Sequence, residues 1–167
     1  MNAELERLLH RPKEGERPGG IGTVRFVARC PGGTANEVLA IAKHALEVAI
    51  RFTTAGTFDE SAWTATLPKR FVGNSAQPRS QEEIDRESVL PIEERIRLQK
   101  EQRWSVRMFM NSFLPELGFR HWSWWDATVL DENHIGVAVQ VKEWPFPWES
   151  LRWLFRASGA DDIESAP

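Results

Sequence analysis

The residues with the clearest potential for chemistry lie in the second half of the chain, where a carboxylate stands among tryptophans. Alternation along a β-strand places Trp122 and Trp124 on the same face as Asp126. Burial among indole rings would raise the pKa of Asp126 and suit it to general-acid catalysis. His121 and Glu143 flank this stretch and join Asp126 as catalytic candidates. The competing interpretation pairs the carboxylate structurally with indole N–H groups or an arginine.

A second candidate for chemistry is the loop that begins at Cys30 and continues through Pro31, two glycines and Thr34. It joins a predicted strand to the start of a helix, where free N–H groups and the helix dipole favour an anion or a thiolate. The spacing of a cysteine phosphatase fails, because Asn36 stands where its arginine would be. The structural alternative is a tight connection in which Cys30 is a small buried hydrophobe.

The tryptophans indicate either a core or a binding surface. Seven of the eight lie between Trp104 and Trp153, and the chain has no tyrosine. Because Trp125 points away from Trp122 and Trp124, one face of this strand exposes indole unless something covers it. Exposed tryptophan is typical of binding hot spots, whereas a Trp-rich core is the alternative. The candidate partner-binding residues are Trp122, Trp124, Trp125, Trp144 and Trp148.

A basic and aromatic stripe on a predicted helix is the last candidate. Lys100, Arg103, Trp104 and Arg107 would lie on one side of that helix, as in proteins that bind single-stranded nucleic acid. Neighbouring glutamates dilute this charge, and the net charge of the whole chain is −3. We therefore expect a solvated helix face and no nucleic-acid partner.

Several enzyme classes are excluded by missing motifs. The chain lacks a phosphate-binding loop, a zinc-binding helix with paired histidines and the paired cysteines of zinc deaminases. Its single cysteine cannot form an internal disulfide. The sequence thus predicts neither a metal nor a cofactor.

Composition favours one soluble cytoplasmic domain. Of 167 residues, 41% are hydrophobic and 27% charged, and neither a membrane span nor a signal peptide is evident. A strong excess of arginine over lysine favours a bacterial source. We expect an N-terminal arm and linker (1–20), a single domain (21–159) with a loop and short-helix insert (73–90), and an acidic flexible tail (160–167).

The pattern of apolar residues predicts an α+β fold in the order β-α-β-α-β-β-α. Capping boxes at Thr34 and Ser80 predict helix starts, and Pro91 opens a long helix that continues to Leu114. A hairpin and a final helix that ends at Gly159 follow. The predicted strands span 23–29, 61–67, 71–72, 122–130 and 135–141. We expect four or five strands in a mainly antiparallel sheet with packed helices.

Taken together, these features favour a bacterial protein-binding module over an enzyme. An immunity-type antidote or an adaptor would use the Trp-rich hairpin and the C-terminal helix as its contact surface. The alternative is a small enzyme or ligand-binding protein with a Trp-lined pocket around Asp126, His121 and Glu143. A free hairpin edge would support a homodimer, unless the N-terminal arm caps it.

Overall fold

The computed structural model describes residues 2–117 and 120–167, and within these ranges it is an α+β fold. The four strands are β1 (Gly22–Arg29), β2 (Trp122–Asp131), β3 (His134–Val141) and β4 (Asp162–Ser165). The α-helices are α1 (Ala3–His10), α2 (Ala35–Ala55), α3 (Glu60–Thr66), α4 (Lys69–Asn74), α5 (Gln81–Ser88), α6 (Ile92–Glu101), α7 (Val106–Asn111) and α8 (Glu149–Ser158). The predicted fold class is confirmed.

The sheet is antiparallel throughout and has the strand order β2-β3-β1-β4. Its inner face is buried against α2 and α8, with Phe26 of β1 opposite Val137 of β3. Alternate residues of β3 are buried, as the sequence pattern predicts for a strand with one face on the core. The opposite side of the sheet, which we call the open face, carries exposed residues such as Arg25 and Arg29.

Helix α1 closes the outer edge of β2. The buried carboxylate of Glu4 accepts the backbone N–H of Trp124 at 2.7 Å, and Arg7 Nε donates to the Trp124 carbonyl at 3.1 Å. The same carboxylate accepts two bonds from Arg120, at 2.6 and 2.9 Å. Because Leu8 is also fully buried, the N-terminal arm docks on the body and caps the hairpin edge.

Two predicted strands are helices instead. Residues 61–66 belong to α3 and Leu67 is its C-cap; Asp59 caps the N-terminus by accepting the N–H groups of Ser61 and Ala62. The two residues of this segment that are buried, Trp63 and Leu67, are four apart and so share one helix face. Likewise, residues 71–72 lie in α4, where Phe71 is buried. Both strand predictions were wrong.

The single long helix predicted from Pro91 is also wrong. Helix α6 ends at Glu101, and α7 begins after Ser105, whose hydroxyl accepts the N–H of Met108 at 3.2 Å. Between them the chain forms a bridge with Ala76, whose N–H donates to the Trp104 carbonyl at 2.9 Å. A tertiary hydrogen bond therefore interrupts the helix.

The remaining elements follow the predictions with two exceptions. The hairpin, the helix ending at Gly159 and the Ser80 capping box are all present. Thr34 precedes α2 but makes no side-chain cap, because its hydroxyl donates to the Pro31 carbonyl at 2.7 Å. The acidic tail contains β4, because Ile163 is buried in the core beside Ala28 of β1.

We predict that Glu4→Gln lowers the free energy of unfolding by about 2–3 kcal/mol, because the buried carboxylate loses its charge and the half-buried Arg120 loses its counter-charge. Urea unfolding measures this loss. The matched change Glu14→Gln, at an exposed position, should cost about 0.5 kcal/mol or less. Equal midpoints for the two variants would contradict the edge-closing role of Glu4.

Candidate functional site

Asp126 lies outside the tryptophan cluster, because β2 has an irregularity at Trp125. The register passes from Trp124 opposite Val139 to Asp126 opposite Ala138, so one extra residue reverses the side on which Asp126 points. Asp126 therefore lies on the open face, paired with Arg11 at 2.8 and 3.1 Å. The hydrogen bond to Asp126 raises the pKa of Arg11 above its ordinary value. The predicted burial of this carboxylate among indoles was wrong.

The other two catalytic candidates meet at a different place. His121 Nδ1 lies 3.1 Å from Glu143 Oε1, and both line a cavity of about 520 Å³ beside Arg120. Asp126 instead lines a separate cavity of about 310 Å³ on the open face. The structure thus brings His121 and Glu143 together and places Asp126 elsewhere, so the three residues do not form one catalytic pocket.

The Cys30 loop is closed by the turn of the hairpin. The N–H of Cys30 donates to the Asn133 carbonyl at 2.7 Å, and the N–H of Gly33 donates to the Asn133 side chain at 2.9 Å. The N–H of Ala35, at the start of α2, donates to the Glu132 carbonyl. Cys30 is 2% exposed, and burial raises the pKa of its thiol. These contacts favour the structural interpretation of the loop over a thiolate or anion site.

The five tryptophans predicted to bind a partner have different environments. Trp122 and Trp124 are buried in the core, so the folded protein does not offer them to a partner. The Arg7 guanidinium lies over Trp125, with its Cζ atom 5.0 Å from the centroid of the indole ring. Trp148 packs on Phe26. Only Trp144 of this set is mostly exposed, at 58%.

A cavity lined by two tryptophans lies along the outer side of α8. There, Trp153 of α8 and Trp104 of the α6–α7 connection line a cavity of about 520 Å³. We call it the basic cavity, because Lys100, Arg152 and Arg156 also line it, with Glu149 as its single acidic residue within the described chain. The α8 residues that line it are spaced three or four apart, so they share one helix face.

A second cavity of about 370 Å³ adjoins the first at Trp104 and Glu149. Met108 of α7 and Pro147, which precedes α8, make its lining largely apolar, so we call it the apolar cavity. The two cavities together form one trough along α8, here named the α8 groove. Its far wall is α6, whose Ile92 and Ile96 are 65% and 46% exposed.

The basic cavity holds more positive charge than its own residues neutralise. Arg152 makes two hydrogen bonds to Asp162, at 2.8 and 2.9 Å, and these bonds lower the pKa of Asp162. Arg156 also lies close enough to Asp162 to lower that pKa. In the described part of the chain, however, neither Lys100 nor Arg156 forms an ion pair. The groove therefore favours an anionic ligand.

Buried Trp153 adds an unused hydrogen-bond donor beside the same cavity. Its indole Nε1–H has no acceptor among residues 2–117 and 120–167, although the side chain is only 5% exposed. Trp122, by contrast, donates its indole N–H to Ser150 at 2.9 Å. Unpaired buried donors are uncommon in folded proteins.

Sequence reasoning missed most of this site. It selected Lys100 and Trp104 but placed them on a continuous helix with Arg103 and Arg107, whereas Arg107 pairs with Glu60 at 2.6 Å. It did not select Arg152, Trp153 or Arg156, although their helical spacing was available as a signal.

Comparison of the chain with protein-family models, curated proteins and solved structures finds no match. Among the described residues, no group of three or more His, Cys, Asp and Glu side chains is arranged to hold a metal ion. None of the helices in those ranges combines the length and apolar character needed to cross a bilayer. Function is therefore argued from the geometry of the site.

We predict that Asp162→Asn lowers the free energy of unfolding at pH 7 by about 1 kcal/mol. Because the folded-state pKa of Asp162 is depressed, its contribution is present above the ordinary carboxyl pKa and disappears as pH falls through the folded-state value. The variant should therefore lose less stability than the parent between pH 7 and pH 3. Urea unfolding at both pH values, with Asp161→Asn as control, tests this. If the parent and Asp162→Asn differ in free energy of unfolding by the same amount at pH 7 and pH 3, the stabilising role of the ionised Asp162 is contradicted.

Proposed function

We propose that this chain is a protein-binding module and that the α8 groove is its contact surface. The observation that carries the proposal is the juxtaposition of Trp104 and Trp153 with unpaired cations in one open trough. Tryptophan and arginine are the residues most enriched at the energetic centres of protein interfaces. This proposal keeps the C-terminal helix as the binding element and replaces the Trp-rich hairpin with α6 and α7.

The shape of the groove supports a polypeptide segment over an enclosed small ligand. Small-molecule sites usually bury most of the ligand in a concave pocket, whereas this trough is bounded on one side by the exposed residues of α6. Helix α6 buries none of its own residues. A partner segment laid in the trough would cover Ile96 together with the two tryptophans.

The rigid wall of the groove is α8 itself. Leu151, Leu154 and Phe155 are fully buried on its inner side, so the position of the outer side is fixed by the core. A preformed wall reduces the entropy cost of binding because little of it must be ordered. This arrangement is suited to an antidote or an adaptor, the two classes of binder that the sequence favours.

The enzyme alternative has weaker support. Asp126 is separated from the His121–Glu143 pair, and the pair itself is exposed to solvent. General acid–base catalysis needs groups that converge on one reacting atom. We therefore propose binding, and not catalysis, as the function.

A displayed library of random dodecapeptides, selected on the folded protein, tests the proposal. We predict selected peptides with micromolar affinity that bind Met108→Glu at least about tenfold more weakly, because this change puts a charge into the apolar cavity. Isothermal titration calorimetry measures both affinities. Phe58→Glu, an exposed apolar position outside the groove, is the matched control.

Equal affinity for the parent and Met108→Glu would place binding elsewhere on the protein. Failure to enrich any peptide would also contradict the proposal.

A further inference from the structure

Resting on the proposed function, we infer that the α8 groove recognises a short acidic peptide segment. The segment places a bulky apolar side chain in the apolar cavity and one or two carboxylates in the basic cavity. The occupant is thus a partner's polypeptide chain, and its charge is opposite to that of the groove.

The length of the groove sets the length of the segment. From Glu149 to Arg156 the α8 wall is eight residues long, and the seven steps between its ends rise about 10 Å. An extended chain covers about 3.3 Å per residue, so about three residues span this distance. An apolar side chain at one end and a carboxylate at the other are therefore separated by one or two residues.

Charge decides the chemistry of the basic end. Lys100 comes from α6 and Arg156 from α8, so the two walls each contribute a cation without an ion-pair partner in the described ranges. A carboxylate between them would accept charge-assisted hydrogen bonds, which are shorter and stronger than neutral ones. Glu149 lies at the other end of the lining α8 face and would repel an acidic group there.

The indole of Trp153 supplies the second, independent observation. Its Nε1–H is a buried donor without an acceptor among the residues described, and the side chain lines the basic cavity. Leaving such a donor unpaired is energetically unfavourable, because its hydrogen bond to water is lost on burial and not replaced. An acceptor oxygen from a bound segment would recover this energy after a small adjustment of the neighbouring side chains.

The apolar end accepts a side chain that nucleic acid does not carry. Met108 is 41% exposed, and with Trp104 and Pro147 it forms a cavity of about 370 Å³. Arg103 and Arg107 of the predicted basic stripe do not line the groove, and Arg107 is paired with Glu60. A phosphate backbone would also require several spaced cations, whereas Lys100 and Arg156 are the only two cations among the described residues lining the groove that form no ion pair.

Selection of displayed random heptapeptides on two proteins tests this inference. Peptides selected on the parent should be enriched in Asp and Glu two or three positions away from an aromatic residue or Leu. The double variant Lys100→Glu, Arg156→Glu should lose this enrichment and select Lys and Arg instead. The control Arg17→Glu, Lys69→Glu makes the same change of charge at exposed positions outside the groove, and it should select the parental pattern.

The outcomes separate this inference from the proposed function. Neutral or basic peptides that still lose affinity in Met108→Glu would overturn the inference and leave the groove as a binding site. Acidic peptides selected equally well by the double variant would overturn it too. Complete displacement of the selected peptides by an oligothymidylate would show that nucleic acid is the occupant of the groove. Concentration-dependent dimerisation that the peptides abolish would show that a second copy of this chain is the occupant.

Discussion

The packing of α8 against the inner face of the sheet and α2 is the interaction on which the rest of the structure depends. Its buried side chains belong to the same core as α2 and the inner residues of β1 and β3. Three other parts of the chain are held to it by side-chain hydrogen bonds. Asn74 donates to the Ala157 carbonyl, Trp122 donates to Ser150, and Arg152 binds Asp162 of β4. Because α8 is fixed on its inner side, its outer side is a stable wall for the groove.

The proposed site follows from an unequal distribution of burial between helices. Helix α2 buries eight of its 21 residues, whereas α5 and α6 bury no residue of their own. A helix with exposed isoleucines gains little stability from the core and leaves apolar surface beside α8. The groove therefore exists because α6 lies next to α8 without packing closely on it, and this unfilled surface is what the proposed partner would bury.

Local patterns predicted the fold class well, and the errors have definite causes. The hairpin and α8 were predictable because their apolar periodicity agrees with their tertiary role. Residues 61–67 alternate like a strand, but the Asp59 cap and the four-residue spacing of Trp63 and Leu67 favour a helix. The interruption before Ser105 depends on Ala76, a residue far away in the sequence. A local sequence pattern cannot predict this hydrogen bond between Ala76 and Trp104, because the two residues are far apart in the sequence.

The site was less predictable than the fold for the same physical reason. One extra residue at Trp125 reverses the facing of Asp126, and strand periodicity alone cannot show such a bulge. The groove combines the end of α6, the residue Trp104 and one face of α8, segments that only tertiary packing brings together. The sequence does contain its parts, since Lys100 and Trp104 stand out as a basic and aromatic pair.

The most direct measurement of the central claim is the indole N–H region of a ¹H–¹⁵N NMR spectrum, recorded while a selected acidic peptide is added. The Nε1–H signal of Trp153 should move downfield as it gains an acceptor, while the signal of Trp63, whose indole already donates to the Thr57 carbonyl, should stay unchanged. A Trp153 signal that does not move while Trp125 or Trp144 shifts would contradict the α8 groove as the binding site.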